Sequence, residues 1–311
     1  MGMTVSENTL RNWLKKGRKY LDRMVVELKR IALEKDAVVN CDETWCKVRK
    51  YDHYKKCYMW VLVNKAERLV IFFYEDGSRG RDVLTNFLGD AELKALMSDG
   101  YNAYVFIGDE LKTHRYKDTD HQVCLAHVRA KFVKARMEGG DKRADVFLGN
   151  INRLFRFERE YDREMITDGE RTRRRQGLPT MEAMINLRAN LLQELKSEEE
   201  QKSCYMREAL NYLHKFWNEA FTYIKDGRYP ISNNLAERAV RPFTTKRKNS
   251  LHFGSDEGAE IAAVYHSIIS TVKLQGRSAW DYLGKFFTGI FNGCRDFLSL
   301  TPQNIDLAVC Q

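Results

Sequence analysis

The chain has 311 residues, 43% of them hydrophobic and 31% charged, a balance that excludes a disordered polymer and leaves room for one large domain or two smaller ones. Its formal net charge of +9 favours a polyanionic partner, because a basic surface gains affinity by releasing counterions from phosphates. No apolar run approaches the ~20 residues that span a bilayer, and the start MGMTVSENTLRNW lacks a signal peptide's basic and apolar segments, so the cytoplasm, with no membrane partner, is the expected address.

Ser6 is placed to cap a helix that carries Leu10, Trp13 and Leu14 on one face and continues through Leu21, Met24, Val25 and Leu28. TVSENTLRNWLKKG could be half of a helix-turn-helix, and residues 1–35 are read as an N-terminal helical segment with that alternative open. Ala37–Cys41 is a short strand-like run leading to Asp42. Tyr58–Val63 and Leu69–Tyr74 are β-rich runs joined by a hairpin over Asn64–Arg68. A helix over Arg81–Leu88, a strand over Leu93–Met97 that delivers Asp99, and a strand over His121–Cys124 followed by an amphipathic helix complete an α/β plan with a mixed sheet.

Strand signals vanish between Glu138 and Gly227, which predicts an all-helical insertion over 138–228 between two parts of a core, 36–137 and 229–285, with 286–311 as a tail. Within it Arg171–Arg175, beside Gly177 and Pro179, reads as a solvated loop able to touch phosphates. Asn234 starts a short helix expected to end near Pro242. A last helix runs from Glu257 to Gln275, with Gly276 as its C-cap. The seven cysteines, Cys41, Cys46, Cys57, Cys124, Cys204, Cys294 and Cys310, are odd in number and lack a Cys-x-x-Cys pair, which argues against a disulfide framework.

Three acids stand where a sheet would present them. Asp42 ends an apolar run, where a buried charge needs a partner; it could hold a metal, or pair with Lys47 or Arg49 as a strand-end acid. Asp99, in Ser98-Asp-Gly-Tyr101, is either a ligand or an ordinary turn residue. Glu237 lies three residues after Asn234, the spacing of a capping box, and four before Arg241, so its structural readings compete with a ligand role. Phosphodiester chemistry gives such a set its sense: two divalent cations ~4 Å apart activate the nucleophile and stabilise the leaving oxygen, and Mg²⁺ needs only a few carboxylates because it keeps several waters. Arg238, Arg241, Lys246, Arg247 and Lys248 surround the third acid, as a solvated basic face or as DNA phosphate contacts. Cys124-x-x-His127 supplies only half a zinc site, and Trp45, Trp60, Trp217 and Trp280 are expected in the core rather than stacked on bases.

Four stretches, in order, carry a resemblance: Cys41-Asp-Glu-Thr-Trp45; Ser98-Asp-Gly-Tyr-Asn-Ala-Tyr104; Cys124-Leu-Ala-His-Val-Arg-Ala-Lys-Phe132; and Asn233-Asn-Leu-Ala-Glu-Arg-Ala-Val-Arg-Pro242, which continues through Lys246–Asn249 and Phe253–Ala259. Over roughly Ala37 to Leu283 the chain resembles transposases of the insertion-sequence-sixty-six family. The resemblance implies a ribonuclease H-like fold, a DDE site of Asp42, Asp99 and Glu237 as catalytic residues and metal ligands, and two Mg²⁺ ions, with Mn²⁺ as a substitute. It further implies DNA as substrate, both terminal inverted repeats and target, a homo-oligomer on that DNA, and accessory proteins of the same mobile element. Relatives of this kind carry a long N-terminal region ahead of the catalytic fold, whereas about thirty-five residues precede the Asp42 strand here; an abbreviated member, a truncation or a fragment would each fit. A catalytically idle DNA-binding regulator and a structure-specific nuclease of the same fold are the competing functions.

Overall fold

A computed structural model describes residues 4–197 and 202–306. Residues 1–3, 198–201 and 307–311, Cys310 among them, and the side chain of Lys246 lie outside the described residues. The chain divides into two compact units, Met1–Leu93 with Leu235–Gln311, and Lys94–Asn234. Antiparallel strands build the first and a parallel pair the second, with helices in both, so the fold is mixed α/β.

In the first unit, α1 (Glu7–Ala32) is one continuous helix capped by Ser6, whose hydroxyl accepts from Thr9 N at 3.1 Å. Its buried stripe is Leu21, Met24, Leu28 and Ala32, whereas Leu10, Trp13 and Leu14 stay exposed. Strands β1 (Val38–Arg49), β2 (Tyr54–Asn64) and β3 (Leu69–Glu75) form an antiparallel meander with Asp42 opposite Val61 and Val61 opposite Phe72. β1 is far longer than the predicted Ala37–Cys41 run, because Cys46 and Val48 alternate with Trp45, Lys47 and Arg49 and extend the pairing to the tip; Asp42 is therefore mid-strand. A short α2 (Arg81–Leu88) follows β3.

One face of this meander is covered by α9 (Asn234–Ser250) and α10 (Asp256–Leu274): Ala236, Val240, Phe243 and Ala263 pack on Val61, Val63, Val70 and Phe72. α9 does not stop at the predicted Pro242 but runs through it. Proline removes one backbone donor, and burial of Val240 and Phe243 on either side outweighs that loss. From α10, Ser267 Oγ and Thr271 Oγ1 accept from Phe72 N (2.8 Å) and Val70 N (3.0 Å), satisfying backbone donors of β3 from the helix. α11 (Ala279–Phe291) closes the unit through Tyr282, Phe286 and Ile290.

The second unit pairs β4 (Ala95–Ser98) with β5 (Asp120–Val123) in parallel and surrounds them with α3 (Leu125–Met137), α4 (Ala144–Glu164), α5 (Asp168–Arg175), α6 (Leu178–Lys196), α7 (Cys204–Lys215) and α8 (Trp217–Phe221). The arginine run expected as a solvated loop is helix α5, started by Thr167, which accepts from Glu170 N. Its arginines are spent on structure: Arg171 pairs with Glu158 and Asp162, Arg174 with Glu164 and Glu170, and Arg175 is 1% exposed. Four acids within reach explain the difference: Glu158, Asp162 and Glu164 come from α4 across a helix–helix contact, and only Glu170 stands at helical spacing, so a count of like charges along the chain does not see them.

Among the described residues, Cys41, Cys46, Cys57, Cys124, Cys204 and Cys294 are in no disulfide, and no helix is long and apolar enough to cross a membrane. Trp60 is fully buried as expected, but Trp280 is 86% exposed and Trp45 sits half-exposed on the sheet, which corrects the expectation of a core role for both.

Candidate functional site

Asp42 and Glu237 both belong to the first unit, one on a strand and one on a helix that covers that strand. Residues paired across an antiparallel ladder share a face, so Asp42, opposite Val61, lies on the face that α9 and α10 cover. Lys47 and Arg49 occupy odd positions of the same strand and emerge on the opposite face. Alternation thus removes the strand-end ion pair as an account of Asp42.

Beyond α9, Phe253 pairs in parallel with Val48: Phe253 N donates to Lys47 O and Arg49 N to Phe253 O, both at 2.8 Å. Glu237 lies in the first turn of α9, the helix that covers the Asp42 face of the meander. It neighbours Ala236, which packs in the same apolar cluster as Val61. Both acids are half-buried, and Asp42 Oδ1 accepts from Glu43 N at 2.9 Å. Further along, Arg247 Nη1 donates to Thr44 Oγ1 (3.1 Å) and Trp45 O (3.0 Å), with its guanidinium 4.0 Å from the centre of the Trp45 ring. Arg238, Arg241 and Lys248 are exposed on α9.

Asp99 belongs to the second unit, where fully buried β4 delivers it, half-buried, at its C-terminal end. Its Oδ1 accepts from Tyr101 N at 3.0 Å, so the turn foreseen from Asp-Gly is present. Gly100 is demanded by its neighbours: a Cβ there would meet Tyr212 Oη at 2.5 Å and Phe216 Cε2 at 2.6 Å. Gly100 N donates to Tyr212 Oη at 3.0 Å, and burial, then the nearby Asp99 charge, hold that phenol protonated. Behind the strand, Ser98 Oγ donates to Asp99 O (2.7 Å) and lies 3.0 Å from His121 Nε2. Burial pushes the His121 imidazole down to about 4, so it is neutral at pH 7. The backbone that presents Asp99 is thus braced from both sides. Cys124 stands at the N-cap position of α3 without a side-chain cap bond, and its sulfur accepts from Asn233 N at 3.1 Å, a structural task that composition did not suggest.

A second acidic cluster escaped the sequence. Ligand atoms of Cys57, Asp76 and Asp256 lie within 4.8 Å of one another. The Lys50 ammonium occupies this seat, 2.6 Å from both Asp256 oxygens and 2.9 Å from Asp76 Oδ1, and Tyr74 Oη donates to Asp256. Lys50 holds the Asp76 carboxyl down to about 2 and, with Tyr74, lowers Asp256, while burial pushes the Cys57 thiol up. An internal ammonium makes this cluster a brace between hairpin, β3 and α10.

The model of the Transposase IS66 family matches residues 1–261. The chain belongs to that family. Two curated proteins similar to this family member, both from Sinorhizobium fredii, are "Uncharacterized protein y4jD", 27% identical over 253 residues (77% of the chain, 47% of the relative), and "Uncharacterized protein y4qI", 27% identical over 239 residues (76% and 43%). The chain therefore spans less than half the length of these curated relatives.

Proposed function

We propose that this IS66-family chain carries the catalytic centre of a DDE transposase, in which Asp42, Asp99 and Glu237 hold two Mg²⁺ ions, with Mn²⁺ as a substitute, on a ribonuclease H-like core interrupted by helices α4–α8. The observation that supports the reading is that β1 carries Asp42 on the face of the meander covered by α9, the helix that bears Glu237 in its first turn. The donor set suits the ion, because carboxylate oxygens on rigid elements are what a hard, water-retaining cation takes. Bound Mg²⁺ would supply Lewis acidity at the scissile phosphorus and a more acidic attacking water.

The chain's own residues fix geometry. β1 and α9 hold two carboxylates against a close-packed apolar floor, which prevents their drift, and the Asp99 turn is braced by Tyr212, Ser98 and His121. Exposed Arg238, Arg241 and Lys248, with Lys246, would hold DNA phosphates and fix register without reading sequence. Arg247 has a different first task, steadying β1 through Thr44 and Trp45. In the proposed reaction, water cleaves a phosphodiester at the element's end and leaves a 3′-hydroxyl. That hydroxyl then attacks a target phosphodiester and displaces one target strand end. DNA, a homo-oligomer that brings two ends together and accessory proteins of the element are the proposed partners.

The test incubates the chain with Mg²⁺ and an oligonucleotide bearing the element's terminal inverted repeats. Nicking and strand transfer are expected, and Asp42→Asn, Asp99→Asn and Glu237→Gln should each lower them at least about 100-fold with unchanged DNA binding. Undiminished cleavage by Asp42→Asn sinks the assignment. Binding without nicking by the parent chain would favour the regulator, and preferential cleavage of branched DNA the nuclease.

A further inference from the structure

Beyond the rungs shared with β3, the β1–β2 hairpin continues as a two-stranded ribbon with two unlike faces. Cys46, Val48 and Cys57 point inward against Ala259, with Tyr74 and Phe253 packed beside them. On the outward face the ladder sets Trp45 opposite Tyr58, Lys47 opposite Lys56, and Arg49 opposite Tyr54. Lys47, Arg49, Tyr54 and Lys56 are exposed, and Tyr51 at the tip is fully so.

The middle rung is the anomaly. Two lysines directly opposite each other on a solvent face repel, where a Lys–Glu or Thr–Thr rung would stabilise the hairpin. Among the described residues no ion pair is recorded for Lys47, Arg49 or Lys56. Of the acids on this face, Glu43 is ion-paired with Arg79, and Glu75 lies opposite Tyr58, one rung from Lys56. At the tip, Asp52 is engaged by His53 at 2.6 Å. Lys47, Lys56 and Arg49, set among aromatic rings and, among the described residues, in no ion pair, give this face a positive charge suited to an anion from outside.

The ribbon is also stiff. Phe253 pairs with its β1 edge, Lys50 clamps its tip to Asp76 and Asp256, and Arg247 covers one side of the Trp45 ring. Stiffness means that docking requires little ordering of the hairpin.

We propose that the outward face of this ribbon, Trp45, Lys47, Arg49, Tyr54, Lys56 and Tyr58, is a docking surface for duplex DNA, with the lysine rung on phosphates and Arg49 towards the major groove. The inference rests on the transposase reading above and adds where its substrate lies. Dimensions agree: a two-stranded ribbon fits a major groove ~12 Å wide, and the four residues from Trp45 to Arg49 span ~13 Å, about four base pairs. Because the other face is packed, the ribbon presents itself face-on rather than edge-on. It emerges on the side of β1 opposite Asp42, so duplex held there is a flank of the element's end or of the target rather than the reacting phosphodiester.

The test measures anisotropy of a labelled duplex bound to the full chain in EDTA, over a salt series, so that binding is read without chemistry. Lys47→Gln/Lys56→Gln should weaken binding about 10-fold or more near 0.1 M salt and reduce the slope of log K against log[salt] by about 1.8, the release from two phosphates. The same variant should melt at the parent's temperature or above it, because the repulsive rung is gone; that separates lost contact from lost fold. Arg49→Gln should lower affinity with a smaller change of slope. Unchanged affinity and slope in the double variant overturn the proposal, as does a loss confined to single-stranded DNA, or a loss of binding accompanied by a lower melting temperature. The two readings fail separately: an active Asp42→Asn removes the chemistry and leaves the ribbon, whereas normal binding by the ribbon variant removes the ribbon and leaves the chemistry.

Discussion

Replacing Arg175 should cost the chain about 4 kcal/mol, more than any other arginine of α5. Its Nε and Nη2 donate to the two oxygens of Glu158 at 2.8 and 2.7 Å, and Nη1 and Nη2 also reach the carbonyls of Tyr223 (2.7 Å), Asp226 (2.6 Å) and Tyr229 (3.0 Å). Breaking a buried ion pair from one side costs about 3–5 kcal/mol, and each carbonyl left dry adds to it. Arg171 Nη1, 2.9 Å from Glu158, partly compensates the stranded carboxylate and holds the total near the middle of that range. Arg175→Met should therefore lower the melting temperature, followed by circular dichroism, by roughly 6 °C. Arg173→Met, at an exposed pair with Glu170, should change stability by less than about 0.5 kcal/mol. Arg175→Met/Glu158→Leu should recover at least half of the loss, since an apolar pair carries no desolvation cost. A loss below about 1 kcal/mol for Arg175→Met would refute the claim that this side chain ties α4, α5 and the 223–229 segment together.

Stability should also fall on mild acidification. His121 is buried and neutral with its pKa pushed down to about 4, so between pH 6.5 and 4 the unfolded chain takes a proton that the native one refuses. Its contribution is complete above pH 6.5 and drains by up to about 1.4 kcal/mol per pH unit below it; urea midpoints at pH 7 and pH 5 measure this, and an equally steep decline in His121→Gln would contradict the assignment. Gly227→Ala should destabilise by about 3 kcal/mol, because a Cβ there would lie 2.0 Å from Asp168 O, a backbone atom that cannot swing aside. In contrast Gly149→Ala, in α4 with open space around it, should stabilise by about 0.5–1 kcal/mol; thermal melts of the two variants moving in the same direction would count against this account.

Periodicity and short motifs determined much of this protein in advance. The span Arg81–Leu88, the hairpin at Asn64–Arg68, the strand before Asp99 and the long helical stretch after Glu138 are local patterns, short apolar runs for the buried strands and a repeat near 3.6 for the helices. The candidacy of Asp42, Asp99 and Glu237 was likewise legible, because acids at strand ends and helix starts stand out against apolar runs. Tertiary structure alone decided what those patterns left open. It carried α9 through Pro242, since packing of Val240 and Phe243 outweighs one missing hydrogen bond. It turned an arginine run from presumed solvated loop into a buried tie, because the acids that neutralise it sit one helix away. It put Lys50 between Asp76 and Asp256, and Arg247 on Trp45, across some two hundred residues of chain. Interactions between neighbours in sequence are written in spacing, while those between distant residues depend on a strand register and a helix pitch that appear only when the chain has folded.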